Sequence, residues 1–321
     1  MELLHRIGVD ENGLGARLGP LVVTAVLARV DERGRRALSR KLPKAIRADL
    51  DDSKRLVSHA DVRLGEAWTR VLLGDSAPDP DALLDQLLLD ERQSLHAPCP
   101  GHVRAQCWGA EGERFSAEPD LLRRIGRHRD ALAERGVTLL SVKSSVVCTK
   151  RLNDARDRGS NRFVSDLHAM EGLVLALRKS AGQNVIATCG KVGGMGAYGK
   201  FFGPLSHALH TVLEEGSALS AYWFPNLGEL RFLRDADAED PLVMLASLVG
   251  KYVRELLMAR IVRFYPAEPD APSPSGYHDP VSHAFVTRSA LLRKERRVPD
   301  VCFERQGVAR FQDPEAPVSV A

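Results

Sequence analysis

The chain has 321 residues, 44% hydrophobic and 27% charged, with a formal net charge of +3. That is enough apolar material to bury a real core, in one large domain or two smaller ones, and the weak basic bias permits nucleic-acid binding without arguing for it. The N-terminal MELLHRIGVDE holds no cleavable apolar segment, and the longest apolar run, Pro241 to Val249, is about half a membrane span, so neither a signal peptide nor a membrane helix is expected.

Along the chain, Leu3 to Asp10 alternates and ends in an acidic pair, as a strand does when it delivers side chains to a site. Gly13, Gly15, Gly19 and Pro20 mark a tight turn, and the β-branched run Leu21 to Leu27 predicts a second, buried strand. Further strands are expected at Val137–Val142, Val185–Thr188 and Ser220–Phe224. Helical periodicity falls at His59–Leu73, Pro119–Arg135, Arg162–Lys179, Gly203–Glu215 and Pro241–Phe264. Strands followed by helices argue for an α/β layered domain over residues 1–300. Residues 75–118 have little period and read as an insertion. A proline-rich loop, Tyr265–Gly276, leads to a final helix at Pro280–Arg293, and residues 301–321 are taken as a C-terminal tail, with a tail's composition from about Asp313. The five cysteines, Cys99, Cys107, Cys148, Cys189 and Cys302, are an odd number in a chain too long to need disulfide staples; reduced thiols in the cytoplasm are the expectation.

Several carboxylates converging on one point would suit two-metal phosphodiester hydrolysis, with oxygen ligands of the kind magnesium prefers. Asp10 and Glu11 close the first strand just before the glycine turn. Consecutive strand residues point to opposite faces, so both reach one point only if the strand twists or ends there. Taken alone, they are equally a solvated acidic pair. Asp237, four residues before Pro241, suits a helix start, where the dipole also favours an ordinary acidic residue. The Gly13-Leu14-Gly15 turn can offer backbone N–H groups to a phosphate or sugar hydroxyl, or be a plain turn. Lys54 is a phosphate contact or a surface lysine; Tyr277 stacks on a sugar or base, or plugs a loop.

Taken together, these pieces resemble the type 2 ribonuclease H family (ribonuclease HII). VDENGLGARLGPLVVTAV resembles the family's opening Asp-Glu, Gly-Arg-Gly and Gly-Pro motif, and DDSKRL its Asp-Ser-Lys segment. NRFVSDLHAMEGLVLAL is similar to its Asn…Ala-Met helix. ADAEDPLVMLASLVGKYVRE resembles its Ala-Asp-x-x-x-Pro stretch and following helix. SGYHDPVSHAFV resembles the Gly-Tyr-x-x-Asp-Pro motif of the archaeal and eukaryotic branch. All five stand in the right order, over roughly residues 5 to 290.

The resemblance implies a ribonuclease H-like fold: a mixed central sheet flanked by helices, here with an insertion and a C-terminal helical extension. It implies an endonuclease that cuts the RNA strand of RNA–DNA hybrids, or 5′ of ribonucleotides embedded in duplex DNA, using two magnesium or manganese ions. On that analogy Asp10, Glu11 and Asp237 are metal ligands. Gly13, Leu14 and Gly15 meet the 2′-hydroxyl through the backbone, Lys54 contacts a phosphate and Tyr277 packs on the sugar.

The chain departs from the family at Cys189, at Leu14 and, mildly, at Arg254-Glu255, where the family's helix ends in Arg-Asp. The third carboxylate, which should end a strand, aligns with Cys189, a soft ligand poorly matched to magnesium. Lys191 beside it is a candidate phosphate contact. Leu14 stands where the turn's arginine belongs. These changes keep a second reading open: a catalytically impaired module that binds such duplexes without cutting. In the insertion, His96, Cys99, His102 and Cys107 are the right residue types for zinc, but their short spacings match no common zinc module, and a plain surface loop is the main expectation. The basic run RSALLRKERR, Arg288 to Arg297, is either a nucleic-acid backbone contact or a solvated face. No protein-partner motif stands out.

Overall fold

A single mixed sheet organises the molecule in this computed structural model, which describes residues 4–102, 105–193, 195–266 and 271–307. Its strands are β1 (Leu4–Asn12), β2 (Leu21–Val30), β3 (Val137–Val147), β4 (Val185–Gly190), β5 (Thr211–Glu215), β6 (Leu219–Phe224) and β7 (Gly228–Leu233), in the spatial order β3-β2-β1-β4-β7-β6-β5. β1, β2 and β3 form an antiparallel meander. β1–β4 and β4–β7 are parallel pairs, and β7, β6 and β5 return antiparallel.

Four helices bear on the site: α1 (Ser53–Leu56), α2 (Arg162–Ala181), α3 (Ala236–Glu239) and α4 (Pro241–Phe264). The period of two in β2 sorts the core into two layers. Val22, Val26 and Ala28 pack with Leu242, Leu245 and Val249 of α4, while Val23, Ala25 and Leu27 pack with Leu167, Met170 and Val174 of α2. Both faces of β2 are covered, which explains its unbroken apolar run. β1 meets α4 at Gly8, where an added Cβ would stand 2.3 Å from the Leu242 carbonyl carbon, so only glycine lets the helix lie directly on the strand.

Three segments depart from the sequence expectations. The insertion holds two helices, Pro80–Leu87 and Arg92–His96, whose Leu83, Leu84, Leu87 and Leu95 are buried in the α4-side core. Its lack of long period reflects short helices flanked by prolines, Pro78 before and Pro80 at the start of the first, and Pro98 and Pro100 after the second. Gly203–Glu215 is not a helix. The backbone N–H groups of Gly203 and Leu205 donate to the buried Glu171 carboxylate, and Thr211–Glu215 pairs with β6 as an edge strand. That side-chain acceptor replaces the helical ladder, and the β-branched Thr211-Val212 suits a strand. The packed body also runs past residue 300: Asp300–Phe303 is a short helix, Phe303 is buried, and Glu304 bridges to Leu18. The tail composition from Asp313 lies outside the described residues. Among the described residues no helix is long and apolar enough to cross a membrane.

Candidate active site

β1 ends in Asp10 and Glu11, whose side chains leave opposite faces of the strand. Asp10 turns to the α4 face, where the Ser247 hydroxyl favours its charged form; Glu11 turns to the α2 face, beside Asp166. The two faces meet at the end of β4. A Cβ on Gly190 would lie 3.2 Å from Asp10 Oδ1 and 3.4 Å from Glu11 Oε2, so both carboxylates close over that glycine. The strand termination therefore brings a front-and-back pair together.

Asp237 arrives from α3, directly after β7, where Asp235 adopts a left-handed φ of 56° and turns the chain. α1 supplies Lys54, whose Nζ donates to Asp237 Oδ2 at 3.0 Å. Ser53 Oγ lies 2.8 Å from Ser247 Oγ, tying α1 to α4. Asp240 caps α4 through the Leu242 N–H and is ion-paired with Arg6, which holds the α3–α4 corner against β1.

The electrostatics follow from the crowding. Burial pushes the Asp10 carboxyl well above the usual carboxylate range, with Glu11 and Asp237 adding to the rise and the Ser247 bond and Lys54 opposing it. Glu11 is raised by burial, then by Asp166 and Asp237. Asp166 is raised by burial and by Asp10. It is 0% exposed, and among the described residues neither of its carboxylate oxygens has a hydrogen-bond partner. Cys189 pairs across to Val9, faces α2 and is fully buried in the core; burial and then Asp166 push its thiol up, which keeps it an uncharged hydrophobe.

A second group surrounds the glycine turn. Gly13 has a φ of +88°, and a Cβ there would meet Arg254 Nε at 2.6 Å, so both conformation and space require glycine. Gly15 has open space around it, and Leu14 is half-buried against the α2-side core. The Gly276 carbonyl accepts the N–H groups of Arg17 and Leu18, each at 2.9 Å, which fixes Tyr277 beside the turn. The Arg254 guanidinium lies 4.4 Å from the Tyr277 ring centre. From beneath, Arg305 donates to the carbonyls of Gly13 and Gly19. Burial, with Arg254 and Arg162 nearby, lowers its pKa to about 9.

Of the residues singled out in the sequence, the structure brings Asp10, Glu11, Lys54 and Asp237 into one cluster and Gly13 and Tyr277 into its neighbour. Cys189 lies under the first. Lys191 turns away: its ammonium donates to Gly216 O and Ser220 Oγ at the β5–β6 turn. In the basic C-terminal run, Arg293 donates to Val286 O and Ser289 Oγ, and Arg296 packs on Phe264, so part of that charge is structural. His96 packs on Trp108 at a tilted angle of 43° and His102 is exposed, while Cys99 and Cys107 line one cavity with Cys148 and Cys302.

Sequence reasoning missed Asp166, Ser247, Arg254 and Arg305 as site neighbours. A signal for Asp166 existed. It stands on the stripe of α2 that continues through Met170, Leu173 and Leu177, a position where periodicity demands an apolar side chain.

Among the described residues no group of three or more His, Cys, Asp or Glu side chains is placed to hold a metal ion as the chain stands. The donors nevertheless fit a hard divalent cation: they are all carboxylates, mutually repelling, and one is buried with both oxygens orphaned.

No protein-family model and no curated protein matches the chain. Solved structures do. Ribonuclease HII of Archaeoglobus fulgidus, solved as a complex with PCNA, is 14% identical over 98% of each chain, with a TM-score of 0.41. A mutant of Bst ribonuclease HIII is 16% identical over 94% of this chain and 66% of its own, with a TM-score of 0.48. Ribonuclease H2 of Pyrococcus horikoshii is 14% identical over 94% and 92%, with a TM-score of 0.45. What the site can do rests on its own side chains.

Proposed function

We propose that this chain is a metal-dependent endonuclease of the type 2 ribonuclease H kind. Its substrate would be the RNA strand of RNA–DNA hybrids, or ribonucleotides embedded in duplex DNA. One observation carries the reading: Asp10, Glu11 and Asp237, from segments far apart in sequence, meet at the end of the two parallel central strands with Lys54 among them.

Asp10, Glu11 and Asp237 would hold magnesium or manganese. Bound divalent cations supply positive charge to the phosphate and lower the pKa of water. Ser247 keeps Asp10 oriented and ionisable by donating to it. Lys54 is largely exposed and, among the described residues, paired with Asp237 alone, so its ammonium can swing to an incoming phosphate. The Gly13 turn, pinned by Arg305 and Arg254, sets backbone groups beside the acids, where a 2′-hydroxyl separates RNA from DNA. Tyr277 offers a half-exposed ring, propped by Arg254, on which a sugar or base can pack.

Cys189 favours the second reading, a binding module with an impaired site, because an uncharged thiol replaces the strand's expected carboxylate. The test is cleavage of a labelled DNA duplex carrying one ribonucleotide, with magnesium or manganese, beside the Asp10→Asn variant. Cutting 5′ of the ribonucleotide by the wild type alone is the expected result. Tight binding of that duplex or of a hybrid without cutting would instead make the binding module the function.

A further inference from the structure

We propose that Asp166 of α2 is the carboxylate that completes the acidic site, taking over from the helix the charge that β4 withholds at Cys189. The inference rests on the nuclease reading above. Cys189 and Asp166 face each other across the α2 side of the sheet, and Asp166 is the leading charged neighbour of both Cys189 and Glu11. It also couples to Asp10. An aspartate at a core position of a helix is costly, and leaving both oxygens without a hydrogen bond is costlier still. A structural role would be expected to show a donor; none of the described side chains or backbone groups provides one. A cation shared with Glu11 and Asp10 removes that cost. A carboxylate on β4 as well would add a further like charge to the same space, which a neutral thiol avoids.

The test measures manganese binding by calorimetry and by the electron-spin signal of free Mn2+, independently of cleavage. Asp166→Asn is near-isosteric and removes buried repulsion, so it should fold and melt higher than wild type without metal. It should bind Mn2+ roughly tenfold or more weakly. The double variant Asp166→Asn/Cys189→Asp should regain affinity, since the carboxylate re-enters from the strand below. Unchanged Mn2+ affinity in Asp166→Asn, with affinity lost in Asp10→Asn, would overturn the assignment and leave the nuclease reading standing. No Mn2+ binding by the wild type, with no cutting of either duplex, would remove both.

A separate observation carries a second site. We infer that Cys99, Cys107, Cys148 and Cys302 bind one zinc ion. Four of the chain's five cysteines line one cavity of about 40 Å³, though they come from the insertion, the β3 end and the last helix. Generic apolar packing does not gather cysteines, and four thiolates are the donor set of a closed structural zinc site. Cys148 precedes the helix Thr149–Asp157. Burial raises all four thiols, and metal binding would have to overcome that; at Cys148 the N–H groups of Arg151 and Lys150 oppose the rise. As they stand, these thiols are not placed as a group that holds a metal ion, so zinc binding requires the side chains and their short segments to move. Such a site would clamp the insertion to the segment carrying Arg305, and so to the glycine turn.

The protein purified under reducing conditions should carry one equivalent of zinc, retained in Asp10→Asn and Cys189→Ser and lost in Cys148→Ser and Cys302→Ser. Cobalt substitution should give the absorption bands of a tetrahedral thiolate site. A metal-free protein with four titratable thiols, or a mass spectrum showing these cysteines in disulfides and no metal uptake after reduction, would overturn the inference.

Discussion

Ser53 and Ser247 share a hydrogen bond of 2.8 Å between their hydroxyl oxygens, and the Ser247 hydroxyl also favours the charged form of the Asp10 carboxyl. The short helix that carries Lys54 is thereby linked, through one side chain of α4, to the central acid of β1. Three separate stretches of sequence thus act as one unit.

Ser247→Ala breaks that link. Asp10 loses a bond that stabilises its charged form, so its already raised pKa rises further. A lost bond to a charged group, about 1.5 kcal/mol, should lower the cleavage rate at neutral pH roughly tenfold. The loss should shrink as pH rises and Asp10 ionises, so the pH–rate profile distinguishes this from misfolding. A uniform loss at all pH values would contradict the orientation role.

Asp10→Asn should reduce metal-dependent cleavage by roughly 10²–10³-fold or more while leaving the fold intact. In metal-free buffer its melting temperature should lie above that of wild type, because a buried like charge has gone. Calorimetry of the two proteins side by side, with cleavage assays on the same preparations, checks both halves.

Lys54 presents a different case. Its side chain is 76% exposed, so the ion pair with Asp237 should contribute little to stability. Lys54→Gln should leave the melting temperature nearly unchanged. Duplex affinity should fall, and the slope of log affinity against log salt should shrink by about 1. An unchanged slope would show that Lys54 does not meet a phosphate.

Arg305→Ala should destabilise the protein by about 2–4 kcal/mol, since the carbonyls of Gly13 and Gly19 lose their buried donor. Arg305→Lys should recover only part, because one ammonium does not reproduce the guanidinium fork. In the lysine variant the effect on the ribonucleotide substrate should fall on KM more than on kcat, as the turn that reads the sugar loosens.

Glu171 sets a pH dependence of stability. Burial raises its carboxyl to about 7, against the bonds from the Leu205 and Gly203 N–H groups. With the folded pKa above the unfolded one, the contribution is fully present below about 4.5 and is lost as pH rises through about 7. Glu171→Gln keeps an oxygen for those N–H groups and does not ionise. Unfolding free energies measured from pH 5 to 8 should therefore fall less steeply in the variant, by an amount of order 3 kcal/mol.

The strands β1, β2, β3, β4 and β6 were readable from the chain itself, because alternation and glycine punctuation are local properties, whereas β7 (Gly228–Leu233) was not singled out. The Asp10–Glu11 pair shows where that reading stops. Alternation sends the two side chains to opposite faces, and their reunion depends on Gly190, which belongs to another strand. Asp166 lay in plain view inside a helix, yet its neighbours Glu11 and Cys189 are set by how α2 lies across the sheet. The strand Thr211–Glu215 was likewise hidden, since Glu171 takes the N–H groups a helix would have used. The four cysteines are scattered over some 200 residues and meet only when the insertion and the last helix dock. Local propensity and residue type are written along the chain. Which charges, thiols and buried donors share one low-dielectric space is decided by packing between distant segments, and that is where the chemistry of this protein resides.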